Sequence, residues 1–184
     1  PPPQRAIFSS NPLRSLDWLV DRWIEIQKRV PKAELHVFAG PSPYGSWGWS
    51  VSKKMDIAIQ YARNNEGSGI FIHDPISKEE LCREIQKSRL MLYRGDIAET
   101  FCLAIAESLE LGIPCITMNL GSMKERIQHG VNGFVLESDD DFVERAVELL
   151  TNDSQWESFH HDLFKSPVNL SWEKVAKQFI SNLK

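Results

Sequence analysis

The chain has 184 residues, of which 42% are hydrophobic and 25% are charged, and its formal net charge is −4 at pH 7. These values are typical of a globular protein and exclude a disordered tail, a collagen-like fibre and a coiled coil. An acidic chain lacks the basic excess that phosphate-driven nucleic-acid binding requires, so we expect no nucleic-acid partner. The length fits one domain, which we place at residues 1–184.

Cysteine usage and the first residues bear on the cellular setting. The three cysteines, at positions 82, 102 and 115, are odd in number and too few for a disulfide scaffold. They favour a reducing compartment and therefore a cytoplasmic location. No apolar run approaches the roughly 18–20 residues of a membrane helix. The chain begins with three prolines, which is neither a signal peptide nor a natural start, and we expect it to be a piece of a longer protein.

Short apolar runs alternate with amphipathic stretches along the chain. The apolar runs predict strands at residues 6–8, 35–39, 70–72, 90–93, 115–117 and 134–136. Apolar residues that recur every three or four positions predict helices over 16–30, about 51–65, a stretch after the capping-box sequence at 77–80, about 100–111, 122–129, 140–151, 154–164 and 171–183. The Gly- and Pro-rich stretch 41–50 is predicted as a loop.

This alternation predicts an α/β fold. Strands that are almost continuously apolar indicate a parallel sheet covered by helices on both faces, in a Rossmann-like three-layer arrangement of about six strands. The common strand order 3-2-1-4-5-6 is assumed. Under that order a ligand binds beyond the carboxyl ends of strands 1 and 4, beside the loops at 9–15 and 94–99.

The first of these loops offers hydroxyl, amide and cationic groups at the start of a helix. A helix N-terminus attracts anions, and Arg14 could add a bidentate phosphate contact. The alternative is that Ser10 and Asn11 are helix caps and that Arg14 is solvated.

The second loop leads into a helix with an unusual carboxylate. Glu99 is placed at the helix start, and Glu107 lies eight residues later on a helix that is apolar almost all round. A buried Glu requires a partner or a cavity because an unpaired buried charge is costly. Eight helical residues rise by roughly 12 Å, about the distance from sugar to ribose in a nucleoside-diphosphate sugar. The alternative is a buried Glu107 paired with Lys or Arg.

Residues 99–116 also resemble a known family signature. Glu99 and Glu107 are separated by seven residues, and Gly112 and Pro114 stand before the next strand. This pattern resembles the group 1 retaining glycosyltransferases of GT-B fold. The similarity continues, in the same order, at 77–81, 121–133 and 171–173. It covers nearly the whole chain but corresponds only to the C-terminal, donor-binding half of the family.

The resemblance implies roles for particular residues. Glu99 would contact hydroxyls of the donor sugar, Glu107 would accept hydrogen bonds from the ribose, and Arg14 would contact the diphosphate. With the two loops, the predicted catalytic residues are Glu99 and Arg14, and the predicted substrate-binding residues are Ser10, Asn11, Ile76, Arg94, Thr100, Phe101, Cys102, Leu103 and Glu107. Of these, residues 101–103 would offer backbone amides, and Ile76 would lie near the base.

The chain also departs from the family pattern. A Ser-Ser pair at 9–10 stands where Gly-Arg is common, which removes one diphosphate cation unless Arg94 or Lys124 replaces it. Arg94 itself replaces a frequent proline. At three positions where the family frequently has glycine, this chain has Ser15, Thr100 and Cys102.

The resemblance implies the donor-binding domain of a retaining glycosyltransferase. Such an enzyme moves a sugar from a nucleoside-diphosphate sugar to an acceptor hydroxyl, with no metal or other cofactor. The implied partners are the nucleotide sugar and a missing N-terminal acceptor-binding domain, through which the protein could be peripheral to a membrane. We expect the isolated domain to transfer nothing. The alternatives are a non-catalytic nucleotide-sugar-binding or interaction module and, less favoured, a nucleotide-sugar epimerase.

Three other features are weighed against simpler interpretations. The triple Asp at 139–141 is predicted to be a helix N-terminus and not a metal motif. The histidines have no metal-ligand spacing, and Cys102 is expected to pack and not to act as a nucleophile. For the aromatic residues Tyr44, Trp47 and Trp49 three interpretations stay open: a base pocket, a contact with the missing domain, or packing on the core.

Overall fold

The computed structural model describes residues 1–165 and 171–182. The strands in this part are β1 (Arg5–Phe8), β2 (Glu34–Phe38), β3 (Ile70–His73), β4 (Leu90–Tyr93), β5 (Cys115–Met118) and β6 (Gly133–Leu136). The α-helices are α1 (Leu16–Arg29), α2 (Gly45–Ser50), α3 (Ser52–Arg63), α4 (Lys78–Gln86), α5 (Leu103–Glu110), α6 (Met123–Arg126), α7 (Asp139–Thr151), α8 (Asp153–Lys165) and α9 (Trp172–Ser181). Two short 3-10 helices lie at Ser42–Tyr44 and Glu66–Ser68.

The six strands form one parallel sheet in the order β3-β2-β1-β4-β5-β6. The predicted Rossmann-like α/β fold and its strand order are therefore confirmed. The order reverses between β1 and β4, so the loops that follow these two strands meet at the carboxyl edge of the sheet.

The core is built on both faces of the sheet. Every residue of β1, β4, β5 and β6 is buried, and successive side chains of a strand point to opposite faces. Helices therefore cover both sides of the central strands. Trp23 of α1, the largest fully buried side chain in the described ranges, satisfies its indole N–H by donating to the Ser68 carbonyl at 2.9 Å.

The prediction of a loop at 41–50 is wrong. A 3-10 helix and α2 occupy this stretch, although glycine and proline disfavour helices on average. A Cβ on Gly48 would lie 2.1 Å from the carbonyl oxygen of Pro41, so the chain closes on itself where only glycine fits.

The helix predicted over 100–111 begins three residues later. Cys102 precedes α5 with φ 60°, a left-handed conformation that starts the helix at Leu103. The placement of Glu99 at the helix start is therefore wrong, and so is the estimate of its distance from Glu107 as a helical rise. The helix predicted over 122–129 is also shorter, at α6, and residue 183 of the last predicted helix lies outside the described residues.

The triple Asp at 139–141 forms the first turn of α7, as predicted. The Ser138 hydroxyl caps the helix by accepting from the backbone N–H of Asp141 at 3.1 Å. Within residues 1–165 and 171–182 no cluster of three or more His, Cys, Asp or Glu is arranged to hold a metal ion. None of the helices in the same ranges has the length and apolar character needed to cross a membrane.

Candidate functional site

A cavity of about 740 Å³ opens at the carboxyl edge of the sheet, where the loops after β1 to β4 converge. Most of the predicted site residues line it, namely Ser10, Asn11, Arg14, Ile76, Glu99, Phe101, Cys102, Leu103 and Glu107. Arg94 and Thr100 are not among the lining residues. Arg94 donates to the Ser15 hydroxyl at 3.2 Å and lies over the Trp18 ring, and Thr100 is exposed.

Glu99 is held in place from both its side chain and its backbone. The hydroxyl of buried Tyr93, at the end of β4, donates to Glu99 Oε2 at 2.8 Å. The Glu99 backbone carbonyl accepts from Ser122 N–H at 2.9 Å. Burial, with the neighbouring Cys102 and Glu99, holds the pKa of Tyr93 well above its ordinary value. The phenol therefore stays neutral and donates to the Glu99 carboxylate.

Glu107 lies on the cavity wall and has a partner. The Lys78 ammonium, at the first position of α4, lies 2.6 Å from Glu107 Oε1, and both side chains line the cavity. The Glu107 side chain is 25% exposed, so the carboxylate is accessible from the cavity. The structure therefore combines features of both interpretations of Glu107, because the carboxylate pairs with a cation and also faces a cavity.

Arg14 reaches the cavity from the loop after β1. Its guanidinium lies 2.6 Å from Asp96 Oδ1 in the loop after β4, so an ion pair joins the two loops at the sheet switch point. The preceding turn is fixed by Asn11, whose side-chain oxygen accepts from Leu13 N–H at 2.9 Å. The other donors of the guanidinium remain able to bind an anion.

Two helices begin at this site from left-handed residues. Ser15 before α1 has φ 62° and Cys102 before α5 has φ 60°, and they are the non-glycine residues with positive φ in the described ranges. For residues other than glycine this conformation costs about 1–2 kcal/mol. Burial raises the pKa of the Cys102 thiol to about 12, so the thiol stays protonated at neutral pH, as its predicted packing role requires.

Aromatic side chains form one wall of the cavity. Tyr44 and Trp47 line it, with their rings edge to face at 6.0 Å. Trp49 is 62% exposed and is not among the lining residues. Phe101 lies at the cavity under the guanidinium of Arg126, which is 4.1 Å from the ring centroid.

Sequence reasoning missed three residues that shape the site. They are Lys78, Tyr93 and Asp96, which bind the predicted residues Glu107, Glu99 and Arg14. Lys78 follows the capping-box serine directly and Tyr93 ends a predicted strand, so their positions at the sheet edge were available. Their partners could not be predicted from the sequence, because each pair joins side chains that tertiary packing brings together.

The cavity combines groups that suit an anionic ligand carrying hydroxyls. The charged side chains lining it within the described residues are two cations, Arg14 and Lys78, and two carboxylates, Glu99 and Glu107. Leu103 and Ala104, the first residues of α5, line the cavity, and the first backbone amides of a helix have no acceptor within it. Cations and free amides bind phosphates, and carboxylates accept hydrogen bonds from sugar hydroxyls.

Comparison with known proteins identifies the family. The model of the family described as "Glycosyl transferases group 1" matches residues 6–152. The chain belongs to the group 1 glycosyltransferases. The resemblance predicted from residues 99–116 is thereby confirmed at the level of family.

Several known proteins and solved structures are similar to this chain at modest sequence identity. The N-acetyl-alpha-D-glucosaminyl L-malate synthase of Bacillus anthracis is 31% identical over 106 residues, which are 56% of this chain and 26% of that protein. The structure of Anabaena Alr3699/HepE in complex with UDP superposes with a TM-score of 0.78 at 13% identity, over 98% of this chain and 48% of that one. The C-terminal domain of the group 1 glycosyltransferase LpcC from Francisella tularensis gives 0.69 at 14% identity, over 92% of this chain and 89% of that domain.

The match to longer proteins covers part of their length. It spans about a quarter of the curated relatives, whereas it spans most of the LpcC C-terminal domain. The fold of this chain is therefore like that of the LpcC C-terminal domain.

Proposed function

We propose that this chain is the donor-binding domain of a retaining glycosyltransferase. The whole enzyme would transfer a hexose-type sugar from a nucleoside-diphosphate sugar to an acceptor hydroxyl. The observation that carries the proposal is the meeting of Arg14, Glu99 and Glu107 in one cavity at the switch point of the sheet. Family membership agrees with it, and a structural neighbour, Alr3699/HepE, is described in complex with UDP.

Each group has a defined task in this proposal. Glu107 accepts hydrogen bonds from the ribose hydroxyls, after Lys78 has moved aside or shared the carboxylate. Arg14 and the first amides of α5 take the charge of the diphosphate, which grows as the sugar leaves. Glu99, oriented by Tyr93, accepts from hydroxyls of the sugar and fixes its position for attack.

The diphosphate is bound by the protein's own donors in this proposal, and transfer requires no metal. Arg14 supplies a fixed cation and α5 supplies preorganised amides, which together do the work that a metal ion does in other transferases. Transfer by the full-length enzyme in EDTA, with the same anomeric configuration in donor and product by NMR, is the expected result. Loss of transfer in EDTA, or an inverted product, would contradict the proposal.

A second domain completes the enzyme in this proposal. We infer an N-terminal acceptor-binding domain, since the match covers about a quarter of the curated relatives. The three free cysteines agree with a reducing cytoplasmic compartment, and any membrane association would come through the other domain. The isolated chain should bind donor weakly and transfer no sugar to any acceptor; robust transfer by the isolated chain would contradict this.

A non-catalytic binding module is the second candidate. The observation in its favour is that Arg14 and Glu107 are each engaged by an internal partner, Asp96 and Lys78. A domain without turnover would bind nucleotide sugars while the full-length protein showed neither transfer nor donor hydrolysis. The activity assay on the longer protein separates the two candidates.

A further inference from the structure

We propose that Tyr44 is a further donor-contacting residue of this site, whose phenol hydroxyl donates a hydrogen bond to the distal phosphate of the bound nucleoside diphosphate. The inference rests on the proposed donor-binding function and adds a residue and a ligand atom to it. It concerns a segment that sequence patterning predicts to be a loop.

The position of the Tyr44 side chain supports a ligand contact. Tyr44 ends the 3-10 helix after β2, is partly buried and lines the cavity. Arg14 and Glu99 line the same cavity; burial raises the pKa of Tyr44, while the Arg14 charge lowers it and the Glu99 charge raises it. No group in the described part of the chain forms a hydrogen bond with this hydroxyl. The phenol therefore presents a free donor in the same cavity as Arg14, the cation assigned to the diphosphate.

The local backbone holds this donor in place before a ligand arrives. The Tyr44 N–H donates to the Pro41 carbonyl at 3.0 Å, and the ring packs edge to face against Trp47. Gly48 lies so close below that an added Cβ would come within 2.9 Å of the Tyr44 Cβ. A side chain fixed in this way loses little conformational freedom on binding, which favours affinity.

The charge balance of the cavity explains why a neutral hydrogen-bond donor would help to bind a diphosphate. The two cations lining the described cavity, Arg14 and Lys78, each already pair with a carboxylate. A diphosphate in this site therefore needs donors beyond the cations. Burial raises the pKa of Tyr44 above its ordinary value, so its hydroxyl keeps the proton that it donates. A charged phosphate oxygen is a strong acceptor for that proton, and the carboxylates of the cavity, Glu99 and Glu107, already accept from Tyr93 and Lys78.

Nucleotides of different phosphate number test this assignment. The chain and its Tyr44→Phe variant are titrated by calorimetry with UMP, UDP, GMP and GDP. We expect Tyr44→Phe to weaken binding of a diphosphate roughly five- to tenfold, and to change binding of the matching monophosphate less than about twofold. The control is Tyr61→Phe, which removes an exposed phenol that donates to Asp21 and does not line the cavity, and it should change neither affinity.

The outcomes separate this inference from the proposed function. If the unmodified chain binds none of the four nucleotides, the donor-binding function fails and the Tyr44 assignment fails with it. If the chain binds diphosphates and Tyr44→Phe binds them equally well, only the Tyr44 assignment is overturned. An equal loss for mono- and diphosphates would also overturn the contact with the distal phosphate. Because the Tyr44 hydroxyl has no partner among residues 1–165 and 171–182, the urea unfolding midpoint of Tyr44→Phe should match that of the unmodified chain.

Discussion

The Lys78 ammonium lies 2.6 Å from Glu107 Oε1, at the place where the proposed function puts the ribose hydroxyls. Lys78 is 64% exposed, and ion pairs of this kind contribute only about 0–1 kcal/mol to stability. The significance of the pair is therefore not in holding the fold together. It keeps an accessible carboxylate occupied in the free protein by a side chain that is able to move away.

Removing either member of this pair should have different effects on binding. Glu107→Gln loses the charged acceptor, and we expect its affinity for UDP or GDP to fall by roughly tenfold or more. Lys78→Met breaks the same pair but leaves the carboxylate, and its affinity should stay above that of Glu107→Gln. Both variants should unfold within about 1 kcal/mol of the unmodified chain in urea. Equal affinities for the two variants would mean that the pair is only structural.

The Tyr93 hydrogen bond to Glu99 should contribute measurably to stability. Tyr93 is fully buried, and its hydroxyl donates to the carboxylate at 2.8 Å. We expect Tyr93→Phe to lower the free energy of unfolding by about 1–2 kcal/mol, since the ring stays packed while the hydroxyl loses its bond to Glu99 and its interaction with Ser10. The matched control is Tyr61→Phe, whose exposed bond to Asp21 should contribute less than about 0.5 kcal/mol. Equal losses in urea denaturation would contradict the structural role of Tyr93.

Two glycines with positive φ should differ in their effect on the site. At Gly121 (φ 53°) an added Cβ would lie 2.5 Å from the Asp96 carbonyl oxygen and 2.6 Å from that of Glu99, whereas at Gly130 (φ 79°) it would meet open space. Gly130→Ala should therefore cost only the backbone strain, about 1 kcal/mol, and leave nucleotide affinity unchanged. Gly121→Ala should cost more and weaken nucleotide binding, because it displaces the loop that carries both acids. Calorimetry and urea unfolding measure the two effects, and similar behaviour of the two variants would refute the packing argument.

The paired histidines on β2 and β3 should make stability depend on pH. His36 Nδ1 lies 2.9 Å from His73 Nε2, and burial is the main cause that lowers the pKa of each ring below its ordinary value. The folded chain then binds fewer protons than the unfolded chain below about pH 6.5, so this contribution to stability is present above that pH and is lost as the pH falls through it.

A variant that lacks both histidines tests the predicted direction of this pH dependence. The urea midpoint should drop between pH 7.5 and 5.5, and the drop should be smaller in the His36→Gln/His73→Gln double variant. His161→Gln, a change at an exposed position on α8, is the control and should keep the full drop. A double variant with an unchanged pH dependence would rule out the pair as its source.

Particular residues show how far the sequence predicts this structure. The six strands and their order followed from apolar runs and a common topology, because burial on both faces leaves a continuous hydrophobic signal. The helix over 45–50 could not be predicted, because glycine and proline favour loops on average. Here Gly48 allows a close approach to Pro41. The start of α5 was misplaced because Cys102 adopts a left-handed conformation that no residue pattern signals.

The same limit applies to the candidate site. The loops after strands 1 and 4, together with the family resemblance, predict Arg14, Glu99 and Glu107 as site residues, and the structure brings all three to one cavity. Their engagement by Asp96, Tyr93 and Lys78 depends on tertiary packing across the sheet edge. Such pairings set the charge of the site in the free protein, and sequence spacing carries no information about them.

Calorimetric titration of the chain with UDP- and GDP-linked sugars in EDTA tests the central claim most directly. We expect saturable binding of at least one of these donors, weakened roughly tenfold by Arg14→Ala. Arg29→Ala, which removes an exposed arginine paired with Glu144 on the far helices, should leave that binding unchanged. Absence of binding by every nucleotide sugar, or equal binding by Arg14→Ala and the unmodified chain, would contradict the assignment of this cavity as the donor site.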